Sequence, residues 1–386
     1  MIVRAGVLYD GTLAAPRHNV DVEIEGDRIV EIRSAGEGIA VDRSAACITP
    51  GLVNAHVHLI GSGEPNMMNT IALMSQNQAM LAAIENAAKS LRAGVTSVRD
   101  LGSPLGIAQD LRDAIERGAV PGPRMRAAGR AICMTGGHGW FIGRQVDGPW
   151  DARKAVREEL SAGADCIKVI ATGGVLTKGA VPGNAQLLPE ELDASISEAH
   201  RHGLRVAAHA IGTEGIKNAL RAGIDSIEHG HMLDDEAIEL FKARGAYLVP
   251  TLAAPSCILE HVHDGSQPAW VLEKAAVVNE AMLRNIRRAY EHGVKIAGGS
   301  DAGTPYNDHD NYAYEIELMH QLLGMTPQQA LHAATAVASE LLGIHHGTLA
   351  PGEPADLLLL DRDIQDDLRT LRSPQVVIKA GVRQTG

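Results

Sequence analysis

The chain has 386 residues, 35 Lys and Arg against 47 Asp and Glu, 45% hydrophobic residues, and 17 His beside 3 Trp, 6 Tyr and 2 Phe. A net charge of −12 argues against nucleic acid as a partner, because phosphate binding needs clustered Lys and Arg, and no apolar run reaches the roughly 20 residues that span a membrane. Four scattered cysteines with no CxxC pair, and a start (Met1–Gly11) without the apolar stretch of a signal peptide, fit a reduced, cytoplasmic protein. More histidines than aromatic residues in an acidic chain direct attention to metal or acid–base chemistry.

Residues 20–24 and 29–33 alternate apolar and polar around Gly26-Asp27, the pattern of two short strands and a turn. Near the other end, 355–360 and 376–378 are short apolar runs of the same kind. The two ends are therefore expected to pair into one small β domain (1–49 with 350–386) beside a central domain (50–349).

The centre has another rhythm, in which a helix-like stretch ends at a glycine and an apolar run follows. This occurs at Gly94, Gly163, Gly203, Gly223, Gly245 and Gly293. A glycine just past a helix accepts the left-handed conformation that other residues resist, and a short, wholly apolar run after it is a strand buried on both faces. With 52–58 at the start and 124–128 after Gly118, about eight strand–helix units follow one another, which favours an α/β (βα)8 barrel, the TIM barrel, over an open sheet.

Catalytic residues of such a barrel stand at the C-terminal ends of its strands. The first strand ends in His56-Val57-His58, and alternate strand residues point the same way about 7 Å apart, so the two imidazoles can converge on one ion. The fourth carries Lys168 inside the apolar run 166–171, either snorkelling to water or buried with a depressed pKa and open to carbamate formation with CO2. The fifth ends at His209, the sixth at His229 and the eighth at Asp301. Any one of these can be a packing residue; together they form a donor set for two divalent ions.

At these residues, and in the segments 49–58, 300–305 and 347–356, the chain resembles the amidohydrolase superfamily in its binuclear, carboxylated-lysine subtype. Thr135-Gly136-Gly137-His138, Thr172-Gly173-Gly174 and Asp301-Ala302-Gly303-Thr304-Pro305 make it most similar to the prolidase and Xaa-Arg dipeptidase group. The resemblance implies that the terminal segments form a β-sandwich. It also implies that His56, His58 and Asp301 hold the more buried metal, that His209 and His229 hold the more exposed one, and that a carbamate on Lys168 bridges both. The ions would be divalent, with Zn²⁺ suiting His and carboxylate donors best and Mn²⁺, Co²⁺ or Fe²⁺ as alternatives, a shared hydroxide as nucleophile and Asp301 as general base and acid. His138 would donate to the substrate oxygen, and His231 and Gln186 would touch substrate; Gln186-Leu187-Leu188 stands where many relatives carry an aromatic. The implied reaction is hydrolysis of a C–N amide bond in a dipeptide or N-acyl amino acid, by a homo-oligomer acting on small molecules. Cyclic-amide hydrolysis or deamination is the second enzyme reading, and an inert scaffold is disfavoured because every ligand position holds a competent residue. Lys178, Met67-Met68 and the histidines at 261, 263, 309, 320, 332, 345 and 346 are read as structural or exposed.

Overall fold

The computed structural model describes residues 1–384. The chain opens with β1 (Ile2–Leu8), β2 (Arg17–Glu25), β3 (Arg28–Ser34) and β4 (Arg43–Pro50), then enters the barrel at β5 (Leu52–Val57) and β6 (Val95–Asp100). It continues through β7 (Arg124–Ala127), β8 (Ala131–Met134), β9 (Gly143–Val146), β10 (Cys166–Ile170) and β11 (Arg205–Ala210). The last barrel strands are β12 (Ser226–His229), β13 (Tyr247–Val249) and β14 (Lys295–Ile296), and the chain ends with β15 (Leu357–Leu360), β16 (Val376–Lys379) and β17 (Val382–Gln384).

Strands β5-β6-β7 and β9-β8-β10-β11-β12-β13-β14 pair in parallel as two arcs. Asp165 N–H to Ala127 O (2.8 Å) joins the arcs on one side. On the other, Ala55 N–H to Gly298 O (3.0 Å), Asp301 N–H to His56 O (2.9 Å) and His58 N–H to Ala302 O (2.8 Å) close the ring. The six junction glycines all take positive φ, between +66° and +91°, each ending a helix before a buried strand. Helix Ile107–Glu116 shows how the outer layer docks: Ile107, Leu111 and Ile115, each four residues apart, are its buried stripe.

One element differs from expectation. The third strand, expected over 124–128, is interrupted by the left-handed Gly129 (φ +71°) and resumes as β8, which pairs with β10 and carries β9 outside the ring. A Cβ at Gly129 would overlap Glu159, whose carboxylate takes the Arg130 N–H at 3.0 Å, so the break is built into the packing.

The terminal strands form one curled sheet in the order β17-β16-β15-β4-β1-β2-β3. β15 explains why four consecutive leucines are buried: Leu357 and Leu359 enter the core of the terminal sheet, whereas Leu358 and Leu360 point into the barrel's core. Cys47 and Ile48 of β4 divide in the same way, as the two-residue repeat of a strand requires. This is the barrel with a small β-sandwich.

Candidate metal centre

The ends of β5, β10, β11 and β12 and the turn after β14 converge on one cavity lined by His56, His58, Lys168, His209, His229 and Asp301. Donor atoms of His56, His58 and Asp301 all lie within 4.8 Å of one another, and Asp301 Oδ1 is 3.2 Å from His56 Nε2 and 3.3 Å from His58 Nε2. The His209 and His229 rings stand 4.6 Å apart, and the His229 ring is 5.4 Å from that of His56. His229 (φ +74°) and Asp301 (φ +59°) both adopt left-handed backbone, a local strain that turns their side chains inward at the strand ends.

Each of these imidazoles is held through one nitrogen, which leaves the other for the cavity. His56 Nδ1 meets Glu228 Oε2 at 2.9 Å, and His58 Nδ1 donates to Gly102 O at 3.2 Å. His209 Nε2 donates to Gly173 O at 3.0 Å. His229 Nδ1 lies 2.7 Å from Thr251 Oγ1, whose own hydrogen goes to Pro250 O, so His229 is the donor and its Nε2 is a bare acceptor. Fixing tautomer and orientation in this way is what metal-binding imidazoles require. Among the described residues, His56 Nε2 and Asp301 Oδ1 are buried without a hydrogen-bond partner, so this donor set fits a divalent cation.

Electrostatics agree. Burial, then the Lys168 charge, push His56 to a pKa of about 4, and burial first of all holds His209 and His229 well below the usual imidazole value. All three are therefore neutral and ligand-competent at neutral pH. For His58, burial acts downward but the Asp301 contact and the charges of Asp301 and Asp100 outweigh it and raise the pKa. Burial likewise opposes ionisation of Asp301, yet His56, His58 and Lys168 hold its carboxyl below the usual range. Lys168 is buried with neither a hydrogen bond nor a carboxylate partner among the described residues, and burial lowers its amine to about 8.

Behind the His56 imidazole lies a buried pair of charged groups, Glu228 and Arg99, that the sequence reading missed. Glu228 is fully buried, and its Oε1 accepts from Arg99 Nη2 (2.8 Å) and Ser226 Oγ (2.6 Å) while Oε2 faces His56. Arg99 is 2% exposed and also donates to Ala55 O at 2.7 Å. Burial works against the Glu228 carboxylate, but Arg99 and His56 prevail and lower its pKa to about 2. A charged residue inside an apolar strand was the signal that singled out Lys168; Arg99 and Glu228 are charged residues on buried strands, but β6 (VTSVRD) and β12 (SIEH) lack the apolar run that makes the signal readable.

His138, from the loop after β8, enters the cavity with its ring 4.4 Å from that of His209 and its Nδ1 2.8 Å from Thr177 Oγ1. Gly174 leaves room for it, since a Cβ there would overlap the imidazole. His231 also lines the cavity; its Nε2 donates to Pro250 O at 2.9 Å and its buried Nδ1 has no partner. Burial pushes both His138 and His231 to about 4. Gln186 lies outside the cavity wall, where its Oε1 accepts the His138 backbone N–H at 2.9 Å. Lys178 is exposed and Met67 lines the cavity. His309 is buried away from the cluster, donating to Gly61 O at 2.8 Å. Apart from Thr304, the remaining wall is apolar, with Leu101, Phe141, Ile142, Leu176, Ile211 and Ile258. Among the described residues, no helix is long and apolar enough to cross a membrane.

The amidohydrolase family matches residues 47–383. The ochratoxinase of Aspergillus niger is 31% identical over 362 residues, covering 86% of this chain and 73% of that protein. Among solved structures, a Xaa-Pro dipeptidase with methionine bound in its active site superposes with a TM-score of 0.90 at 34% identity, over 100% of this chain and 99% of that one. A prolidase complexed with N-methylphosphonate-L-proline gives the same TM-score at 29% identity, over 100% and 99%. Sequence, fold and the buried His/His/Asp cluster agree: the chain belongs to the amidohydrolase family and is a metal-dependent hydrolase.

Proposed function

We propose that the protein hydrolyses a C–N amide bond in a dipeptide or N-acyl amino acid at a binuclear centre. His56, His58 and Asp301 would hold one ion, His209 and His229 the other, with a CO2-derived carbamate on Lys168 between them and Zn²⁺ as the metal. The observation that carries this reading is that four imidazoles each present one free nitrogen around an unpartnered, buried lysine and Asp301. Names of relatives support the peptide-like substrate: dipeptidase and prolidase. When bound, the ions supply an acidified water and a Lewis acid for the scissile carbonyl.

The chain's own residues account for the proton traffic and the geometry. Asp301, held ionised, accepts a proton from the attacking water and passes it to the leaving nitrogen. Neutral His138, whose Nδ1 lies 2.8 Å from Thr177 Oγ1, would take the Thr177 hydroxyl hydrogen there and offer Nε2–H to the substrate carbonyl, where a preorganised donor is worth about 100-fold or more in rate. The bare Nδ1 of His231 is an acceptor for the substrate N–H. The aliphatic wall excludes water and strengthens each of these contacts. The same reading makes the enzyme a cytoplasmic homo-oligomer acting on small molecules, in keeping with the acidic charge and the scattered cysteines.

Metal analysis of the purified protein tests the centre. Two equivalents per chain are expected for the wild type and one for Lys168→Ala; a wild type that binds one equivalent or none, or a variant that keeps both, overturns it. A screen of dipeptides, N-acyl amino acids and lactams tests the substrate, and cleavage confined to lactams would move the assignment to cyclic amides.

A further inference from the structure

At the opposite end of the barrel, where the start of β7 meets the end of β16 and the segment after the last helix, lies a second cavity of about 450 Å³. Its floor is aliphatic, with Val98, Ile115, Met125, Leu342 and Ile344. Arg124, Arg126, Lys379 and His346 also line it, against one carboxylate, the exposed Glu116. Three cations thus face a single cavity in a chain of net charge −12.

The nearby carboxylates are already engaged. Asp356 receives Arg124 Nη1 in a short contact and the Ala380 N–H at 2.7 Å. Asp165 receives Arg112 Nη1 at 2.7 Å and the Ala127 N–H at 2.9 Å, and reaches Arg126 only at 3.5 Å. Lys379 Nζ has one hydrogen bond, to Gly122 O at 2.5 Å, and no carboxylate partner among the described residues. His346 Nδ1 is buried with no hydrogen-bond partner among the described residues. Burial and then the Arg124 charge push Lys379 down to about 8 and His346 to about 4. The crowding that disfavours further protons here would favour a bound negative charge. Glu116 opposes this from the solvent-exposed rim, where screening weakens it.

We propose that this cavity is a binding site for a small amphiphilic organic anion, with its carboxylate or phosphate head on Arg126 and Lys379 and its apolar body on Ile115, Met125 and Ile344. A mostly apolar recess with a few convergent polar groups and a volume in the range of about 300–1,000 Å³ is the usual form of a small-molecule site. Its residues come from β6, β7, β16, the end of the helix Ile107–Glu116 and the chain around the end of the last helix, and none of them lines the cavity of the histidine cluster, so the site is separate from the hydrolytic one.

Calorimetric titration of the metal-loaded protein with 4-phenylbutyrate, phenyl phosphate and neutral 4-phenylbutanol tests this. One anion should bind once per chain at least about ten-fold more tightly than the alcohol. Whichever head group binds better identifies the ligand class. Lys379→Met and Arg126→Gln, the latter at a half-exposed position, should each weaken binding by about ten-fold or more with amide hydrolysis unchanged. Acetylation of Lys379 by acetic anhydride near pH 8, read by mass spectrometry, should be slowed by the bound anion, because the amine titrates at about 8. No binding by either anion, equal binding of the alcohol, wild-type affinity in both variants, or unprotected Lys379 with the anion bound would each overturn the proposal.

Discussion

At the scale of single residues, the centre depends on groups that never reach the cavity. Glu228 holds His56 from behind and is itself held by Arg99, so the carboxylate sets both the tautomer and the orientation of a ligand. Glu228→Gln keeps the volume and removes the charge. It should weaken metal binding by about 10–100-fold, as loss of an orienting partner does. It should also lower stability by about 3–5 kcal/mol, because Arg99 is left as an unpaired buried charge. Chelator competition and thermal unfolding measure the two effects separately. Unchanged values in both would show that Glu228 does not orient His56.

At the scale of elements, the long connection between β10 and the helix Pro189–Arg201 does what no strand end does. It brings Thr177 to His138 Nδ1, Gln186 to the His138 backbone, and Val175 and Leu176 to the cavity wall. Gly174 sits in this connection with ordinary backbone, so alanine there costs little conformationally but overlaps the His138 ring. Gly174→Ala should lower kcat by about 100-fold, the loss of the proposed oxyanion donor His138, while metal content stays at the wild-type value. Kinetics on a cleaved amide together with metal analysis check this; a kcat within two-fold of wild type would remove His138 from the reaction. The strand-end histidines were legible because each closes an apolar run. This connection was not, since its Gly-rich sequence is compatible with many paths.

At the scale of the whole molecule, the ring is closed by the loops that follow β5 and β14, and His309 joins them. It donates to Gly61 O at 2.8 Å, beside the Lys89–Asp308 ion pair at 2.6 Å. Burial lowers its pKa from 6.5 to about 4. Well above pH 6.5 the imidazole is neutral in both folded and unfolded chains and pH does not alter its contribution. As pH falls from 6.5 toward 4, the unfolded chain takes up a proton that the folded one refuses, so stability declines, by at most about 3 kcal/mol. His309→Gln can still donate to Gly61 and does not titrate in this range. Urea unfolding of wild type and variant at several pH values across this window should show a shallower decline for the variant; parallel curves would assign the acid sensitivity elsewhere.

The barrel and its donor set follow from local pattern. Six helix-ending glycines, each followed by a short strand-forming run, specify repeated strand–helix units, and a histidine or aspartate at a run's end, with the lysine inside the fourth, specifies what faces the cavity. Local pattern records which face a side chain takes, because strand alternation and helix capping act over a few residues. It cannot record which distant face lies opposite. Ring closure brought Glu228 to His56 across 172 residues of chain, divided the four leucines of β15 between two cores, and gathered Arg124, Arg126 and Lys379 around one cavity. Those neighbours are set by closing the barrel and curling the terminal sheet, and only the tertiary structure decides them.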